Sequence, residues 1–213
     1  MSAENTLLVC SSNRSIEERT RECIVQLTRL GMPFLHQKGS ADVAYARNLA
    51  LSGACELLDK RSDLHVVLMV DDDMTFTTDH ALELVNHARD TGVPASGVYG
   101  TLNGIIAATR YQGRRSHGRA LWLVGLGLVA IGREKLLELR NSSVRYQANS
   151  QSKIEHAYQF TWTGVDPENH EWVAEDFRLC ARLGGVHLLP IPLGHVKRIE
   201  IFPDEATLDQ VRE

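Results

Sequence analysis

The chain lacks any apolar run long enough to cross a bilayer. The longest, Leu121 to Gly132, falls well short of the roughly 20 residues a spanning helix needs. Met1 to Thr6 carries no positively charged region of the kind that opens a secretory leader, so a cytoplasmic chain with no membrane partner is expected. Cysteine is sparse and scattered: Cys10, Cys23, Cys55 and Cys180 form no C-x-x-C pair, which excludes a zinc ribbon or a disulfide framework and fits reduced thiols. Positive charge is not in excess, because 23 Lys plus Arg against 27 Asp plus Glu leave 23 − 27 = −4. No global field therefore draws the protein to nucleic acid or an anionic membrane, and any basic site must be local. The G-x-x-x-x-G-K-[ST] signature of a P-loop is missing, as are repeats, low-complexity tracts and linkers. What remains is ordinary for one globular domain: 213 residues, 43% apolar and 23% charged.

Along the chain, apolar runs alternate with helical stripes. Thr6 to Cys10 reads as a buried strand entering the polar turn Ser11, Ser12, Asn13, Arg14. Helical patterns follow over 16–30 and 41–58, with a short strand near Phe34 between them. His65 to Val70 is a continuous apolar run, the pattern of a central strand covered on both faces, and it stops at Asp71-Asp72-Asp73. A helix over 79–89 and a strand over 95–99 continue an α/β alternation. Beyond it the pattern loosens: a basic loop over 110–119, an apolar stretch over 121–131, a short helix over 133–140, a polar irregular stretch over 141–171, a helix over 174–183, a strand over 187–191 and a charged tail.

Two carboxylates two apart at a strand end, Asp71 and Asp73, face one cavity while Asp72 points elsewhere. Hard oxygen donors of this kind hold Mg²⁺ or Mn²⁺ in phosphate-handling sites. Acids at strand ends also serve as turn formers, so the pair alone leaves both readings open. Glu175-Asp176 opens a helix, where the dipole favours anions. His195, just after the last strand and beside Lys197 and Arg198, is an imidazole suited to Mn²⁺. Gly125-Leu-Gly127-Leu-Val-Ala130 fits a dinucleotide fingerprint formally, but the run continues to Ile131 rather than turning into a helix.

Taken together, Asp71-Asp72-Asp73 after an apolar strand, Glu175-Asp176, the run Arg178-Leu-Cys-Ala-Arg182-Leu-Gly-Gly185 and Gly194-His195 resemble the GT-A type glycosyltransferases, particularly small family 2-like members of phage and bacterial type. Tyr45-Ala-Arg47-Asn48 and the segment 124–134 share that likeness, which spans roughly 6–198. It implies a single-domain α/β fold, a Rossmann-like mixed central sheet flanked by helices, with a nucleotide-binding half over 6–100, an acceptor and catalytic half over 101–198, and a tail over 199–213. It also implies a bacterial or phage-infected host cytoplasm. By that resemblance Asp73 and His195 ligate the metal, and Asp71 contacts it through water or holds the ribose, with Asp72 at the same nucleotide site. Asp176 is the base, with Glu175 second. The donor is a nucleoside-diphosphate sugar, with a UDP-sugar favoured. Ser11, Ser12, Asn13, Arg14, Arg47, Asn48, Lys197 and Arg198 are its candidate contacts. The acceptor is a saccharide or a hydroxymethylated pyrimidine in DNA, with Arg110, Arg114, Arg115, Trp162 and Trp172 as candidate contacts. A nucleotidyltransferase, or a non-enzymatic polyanion-binding module using the same arginines with Tyr111 and Arg119, are the alternative readings.

Overall fold

A computed structural model describes residues 3–12, 15–38, 42–99, 108–149, 152, 154–166 and 170–196. Asn13, Arg14, Lys197, Arg198 and the tail expected over 199–213 lie outside the described residues. After a 3-10 turn at Ala3–Asn5, the elements are β1 (Thr6–Ser12), α1 (Glu18–Arg29), β2 (Phe34–Lys38), α2 (Val43–Lys60), β3 (Val66–Asp71), β4 (Met74–Thr75), α3 (Thr78–Thr91) and β5 (Ala95–Val98). There follow β6 (Ala108–Ser116), β7 (Arg119–Val124), β8 (Leu128–Gly132), α4 (Arg133–Asn141), β9 (Arg145–Gln147), β10 (His156–Tyr158), β11 (Gly164–Val165), β12 (Trp172–Val173), α5 (Glu175–Arg182), β13 (Val186–Pro192) and β14 (Gly194–His195).

An 8-stranded sheet in the order β2-β1-β3-β8-β5-β13-β7-β6 draws strands from both halves of the chain into one α/β domain, the mixed sheet flanked by helices that was expected. β1 is parallel to β2 and β3, β8 runs antiparallel between β3 and β5, and β13 is parallel to β5 but antiparallel to β7. The uninterrupted apolar sequence of β3 has its physical reason here. Val67 and Met69 face one core layer, while Val66, Leu68 and Val70 face the other. α2 packs on β1, β2, α4 and β10 at once, so nearly its whole circumference is small or apolar and buried. α3 starts at Thr77, whose side chain caps the His80 N–H, and ends at Gly92 in the left-handed region (φ 68°).

Two expectations change. The basic stretch 110–119 is no loop: it is β6 and its turn into β7, the outermost strand of the sheet. An edge strand is exposed on both faces, so it shows none of the alternation that marks a half-buried strand. The polar stretch 141–171 contains the small ladders β9–β10 and β11–β12. Its register comes from the main body: Asn48 pairs through both side-chain groups with the Thr161 backbone (2.9 and 3.0 Å), and Ser52 accepts from the Tyr158 N–H at 2.9 Å. Among the described residues no helix is long and apolar enough to cross a membrane. Cys10, Cys55 and Cys180 are buried and free, and burial pushes the Cys55 and Cys180 thiols up to about 12.

Candidate active site

The carboxyl ends of β1 and β3 lie side by side, Ser11 in register with Asp71, and this is where open α/β sheets bind ligands. The acidic triplet turns the chain there. Asp71 N–H donates to Gly127 O at 2.8 Å, and Asp72 O accepts from Glu17 N–H at 2.9 Å. The far end of the chain is brought to it by β13. Its tight approach to β5 depends on Gly97, where a Cβ would stand 2.7 Å from Ile191 O. β14 then pairs with β4, His195 opposite Met74, and Val196 N–H donates to Asp73 O at 2.7 Å. His195 Nε2 consequently lies 2.8 Å from Asp73 Oδ2, although 122 residues separate the two in sequence.

A cavity of about 330 Å³ opens here. Ser11, Ser12, Arg47, Asp71, Asp72, Asp73, Tyr99, Asp176 and His195 line it, with Val43 and Ala46 supplying an apolar wall. At its floor the Arg47 guanidinium, only 4% exposed, donates through Nη2 to Asp71 Oδ2 (2.7 Å) and through Nη1 to Glu175 Oε1 (2.5 Å). Burial by itself would lower the arginine's pKa, but the charges of Asp71, Glu175 and Asp176 outweigh it and raise it, so the cation is permanent. Burial lifts the Asp71 carboxyl above the usual aspartate range, with Asp73 adding to the rise and Arg47 opposing it. Asp176 is lifted the same way, by burial first, with the Glu175 charge adding and Arg47 opposing. Asp176 makes no ion pair among the described residues; its Oδ1 accepts only the Phe177 N–H at 2.7 Å.

The sequence candidates are thus sorted. Ser11, Ser12, Arg47, Asp71, Asp72, Asp73, Asp176 and His195 share one cavity; Asp72, expected from strand alternation to point elsewhere, lines it too because the chain turns after Asp71 and the alternation ends there. Glu175 and Asn48 do not line it; they face a second cavity of about 700 Å³, together with Trp162. Adjacent residues on a helix diverge by about 100°, which is why Glu175 and Asp176 serve different cavities. Trp172 is 71% exposed and lines neither. Arg110, Arg114 and Arg115 lie on the edge strand, away from the lining of both. Tyr99 escaped the sequence reading. Its hydroxyl accepts from Gly127 N–H at 3.3 Å, and its ring stands edge-on to His195 with centroids 5.4 Å apart. Its one signal was its place at the carboxyl end of the strand expected over 95–99, next to where β5 ends at Val98.

No family model matches the chain, and no curated protein matches it significantly. Among solved structures it is similar to A197 from STIV, with a TM-score of 0.57 and 16% identity over 91% of this chain and 86% of that one. Weaker likenesses join it to a glycosyltransferase involved in the glycosylation of the major capsid of PBCV-1 (TM-score 0.39, 9% identity, 62% of each chain). Another is to the nucleoside-diphosphate-sugar pyrophosphorylase from Vibrio cholerae RC9 (TM-score 0.34, 13% identity, 86% of this chain and 72% of that one). The likeness to A197 is one of fold, and the two lower scores carry nothing further.

Proposed function

We propose that this protein is a metal-dependent glycosyltransferase of the GT-A type that moves a sugar from a nucleoside-diphosphate sugar, UDP-linked by preference, to an acceptor hydroxyl with inversion. The observation that carries this reading is the meeting of Asp71, Asp73, Asp176 and His195 in one cavity at the carboxyl ends of the parallel strands.

The donor chemistry suits Mn²⁺ or Mg²⁺. Among the described residues no three His, Cys, Asp or Glu side chains converge enough to hold a metal unaided. Asp73 and His195 would therefore hold the cation together with diphosphate oxygens and water, as these ions accept in phosphate sites. His195 Nδ1 is buried without a partner among the described residues, so the ring's hydrogen bonding is incomplete, while its Nε2 is the nitrogen turned toward Asp73 and available to a cation held there. When bound, the cation supplies Lewis-acid stabilisation of the charge that develops on the departing diphosphate. Asp71, clamped by Arg47, is fixed in orientation and suits contact through water or with the ribose. Ser11, Ser12 and Asp72 frame the nucleotide, with Asn13, Arg14, Lys197 and Arg198 as further contacts in segments beyond the described residues. Asp176 is the base: it carries no competing cation and its pKa is raised, which favours taking a proton from an attacking hydroxyl. Glu175 is the weaker candidate because Arg47 already holds it.

The test is product analysis with a panel of nucleotide-sugars, Mn²⁺ and candidate acceptors. Release of a nucleoside diphosphate with glycosylated acceptor is expected, and Asp176→Asn should cut turnover by about 10²- to 10⁴-fold. Pyrophosphate release would instead identify a nucleotidyltransferase.

A polyanion-binding role for the sheet edge is favoured by a separate observation. Arg110, Arg114, Arg115 and Arg119 pair with no carboxylate among the described residues. Arg110 and Arg114 are held instead over the Trp122 and Tyr111 rings, at 5.5 and 4.7 Å. Salt-sensitive binding of an oligonucleotide, lost on changing these arginines, is the expected result. Binding that ignores them removes this role.

A further inference from the structure

The larger of the two cavities beside α5 has no assigned occupant. It lies between the first turns of α2 and the residues Val144, Tyr146 and 159–163, and it reaches about 700 Å³. Val43 borders both it and the acidic cavity, and at the α5 N-terminus Glu175, tied to Arg47, lines one while Asp176 lines the other. A ligand there would sit beside the group transfer without entering the nucleotide site.

Its lining has a consistent chemistry. Tyr45, Tyr146 and Trp162 offer aromatic faces, and Trp162 is held from behind by the Arg178 guanidinium, 4.2 Å from the ring centroid. Gln159 and Thr163 offer an amide and a hydroxyl at the wall. Asp42 and Glu175 are the charged residues among the described lining, and both are acids; no Lys, Arg or His is among them. Such a wall offers no described cation to a phosphate or carboxylate group, while flat aromatic rings with scattered hydrogen-bonding groups suit a neutral ring that carries apolar C–H faces and equatorial hydroxyls.

From this we infer that the cleft lined by Tyr45, Tyr146 and Trp162 is a binding site for a neutral saccharide, distinct from the cavity that holds Asp176. A nucleic acid would bring phosphates to a wall with no described cation, and the arginines that could meet phosphates lie on β6, outside the lining.

The experiment is saturation-transfer NMR on the full chain with methyl β-glucopyranoside, methyl α-mannopyranoside and maltose as neutral probes. Glucuronate and a short oligothymidylate serve as anionic ones. Two variants accompany the wild type. Trp162→Ala removes the stacking face, and Val144→Trp, at a position 67% exposed on the cleft rim, obstructs the mouth without touching the core. At least one neutral sugar should give transfer in the wild type and lose it by roughly fivefold or more in both variants. Neutral sugars that give no transfer, or transfer unaltered in Val144→Trp, overturn the inference. So does an anionic probe whose signal vanishes in that variant. UDP with Mn²⁺ on the same samples keeps the two readings apart: it should bind wild type and variants alike. Its failure everywhere, with sugar binding intact, would remove the transferase reading and leave the saccharide cleft standing.

Discussion

Arg47 is the group on which the arrangement around both cavities depends, and its removal has a calculable cost. Arg47→Met keeps most of the side-chain volume but strands the Asp71 and Glu175 carboxylates, whose side chains are 25% and 18% exposed. Breaking a buried ion pair by deleting one partner costs about 3–5 kcal/mol, and the partial exposure of both acids argues for the lower end, about 3 kcal/mol. For a chain of this size each kcal/mol shifts the melting temperature by about 2–4 °C, so a fall of about 6–12 °C is expected. Differential scanning calorimetry at neutral pH measures it. Adding Glu175→Gln neutralises one of the two stranded acids and should recover about half of the loss, a non-additivity of the size found for residues in one charge network. A fall of only a degree or so in the single variant, or strictly additive effects in the double, would refute the claim that this guanidinium holds the two acids together.

Further outcomes follow from the same geometry. His187 Nε2 lies 3.0 Å from the Ser116 carbonyl, which can only accept, so its Nδ1 is the acceptor for His87 Nε2–H at 2.8 Å. Burial pulls both imidazoles below the ordinary 6.5, and Arg119 and His117 add to the fall at each. The hydrogen bond to Ser116 opposes it at His187, as do Asp90 and Glu83 at His87, while the His87 charge lowers His187 further. At these two sites the unfolded chain therefore binds more protons than the folded one below 6.5, so their contribution to stability is lost on acidification, while the raised Asp71 and Asp176 carboxyls act in the opposite sense at lower pH. Melting temperatures from pH 7.5 to 5 should decline, and less steeply in His87→Gln; an unchanged slope in that variant would count against the pair. Gly97→Ala forces a methyl against the Ile191 carbonyl and should lower the denaturation midpoint by the equivalent of about 1–3 kcal/mol, with nucleotide binding weakened as β13 and His195 shift. A midpoint equal to the wild type's would mean that the strands can part there freely.

Much of the first hundred residues was legible because their signals are local. The apolar run of β3 is continuous since both faces are covered, and Asp71, Asp72 and Asp73 announce its end. The position of His195 against Asp73 was legible only through the family likeness, because pairing between β14 and β4 leaves no periodic trace in two residues. β6 was misread since an edge strand loses the alternation that marks a strand. The segment beyond α4 was opaque for another reason. Its ladders of two or three residues are fixed by distant partners, Asn48 for Thr161, Ser52 for Tyr158 and the Tyr45 hydroxyl for Asn149, and none of these is visible in local sequence. The division of labour between Glu175 and Asp176 likewise required knowing which side of α5 each cavity occupies.

The most direct measurement is calorimetric titration of UDP into the wild type and Asp73→Ala, each with and without Mn²⁺. Heat of binding that requires Mn²⁺ in the wild type and disappears in Asp73→Ala is the expected result, since the proposed cation is held by Asp73 and His195, whose side chains lie 2.8 Å apart. Equal, Mn²⁺-dependent binding in both proteins would contradict it and move the nucleotide site elsewhere.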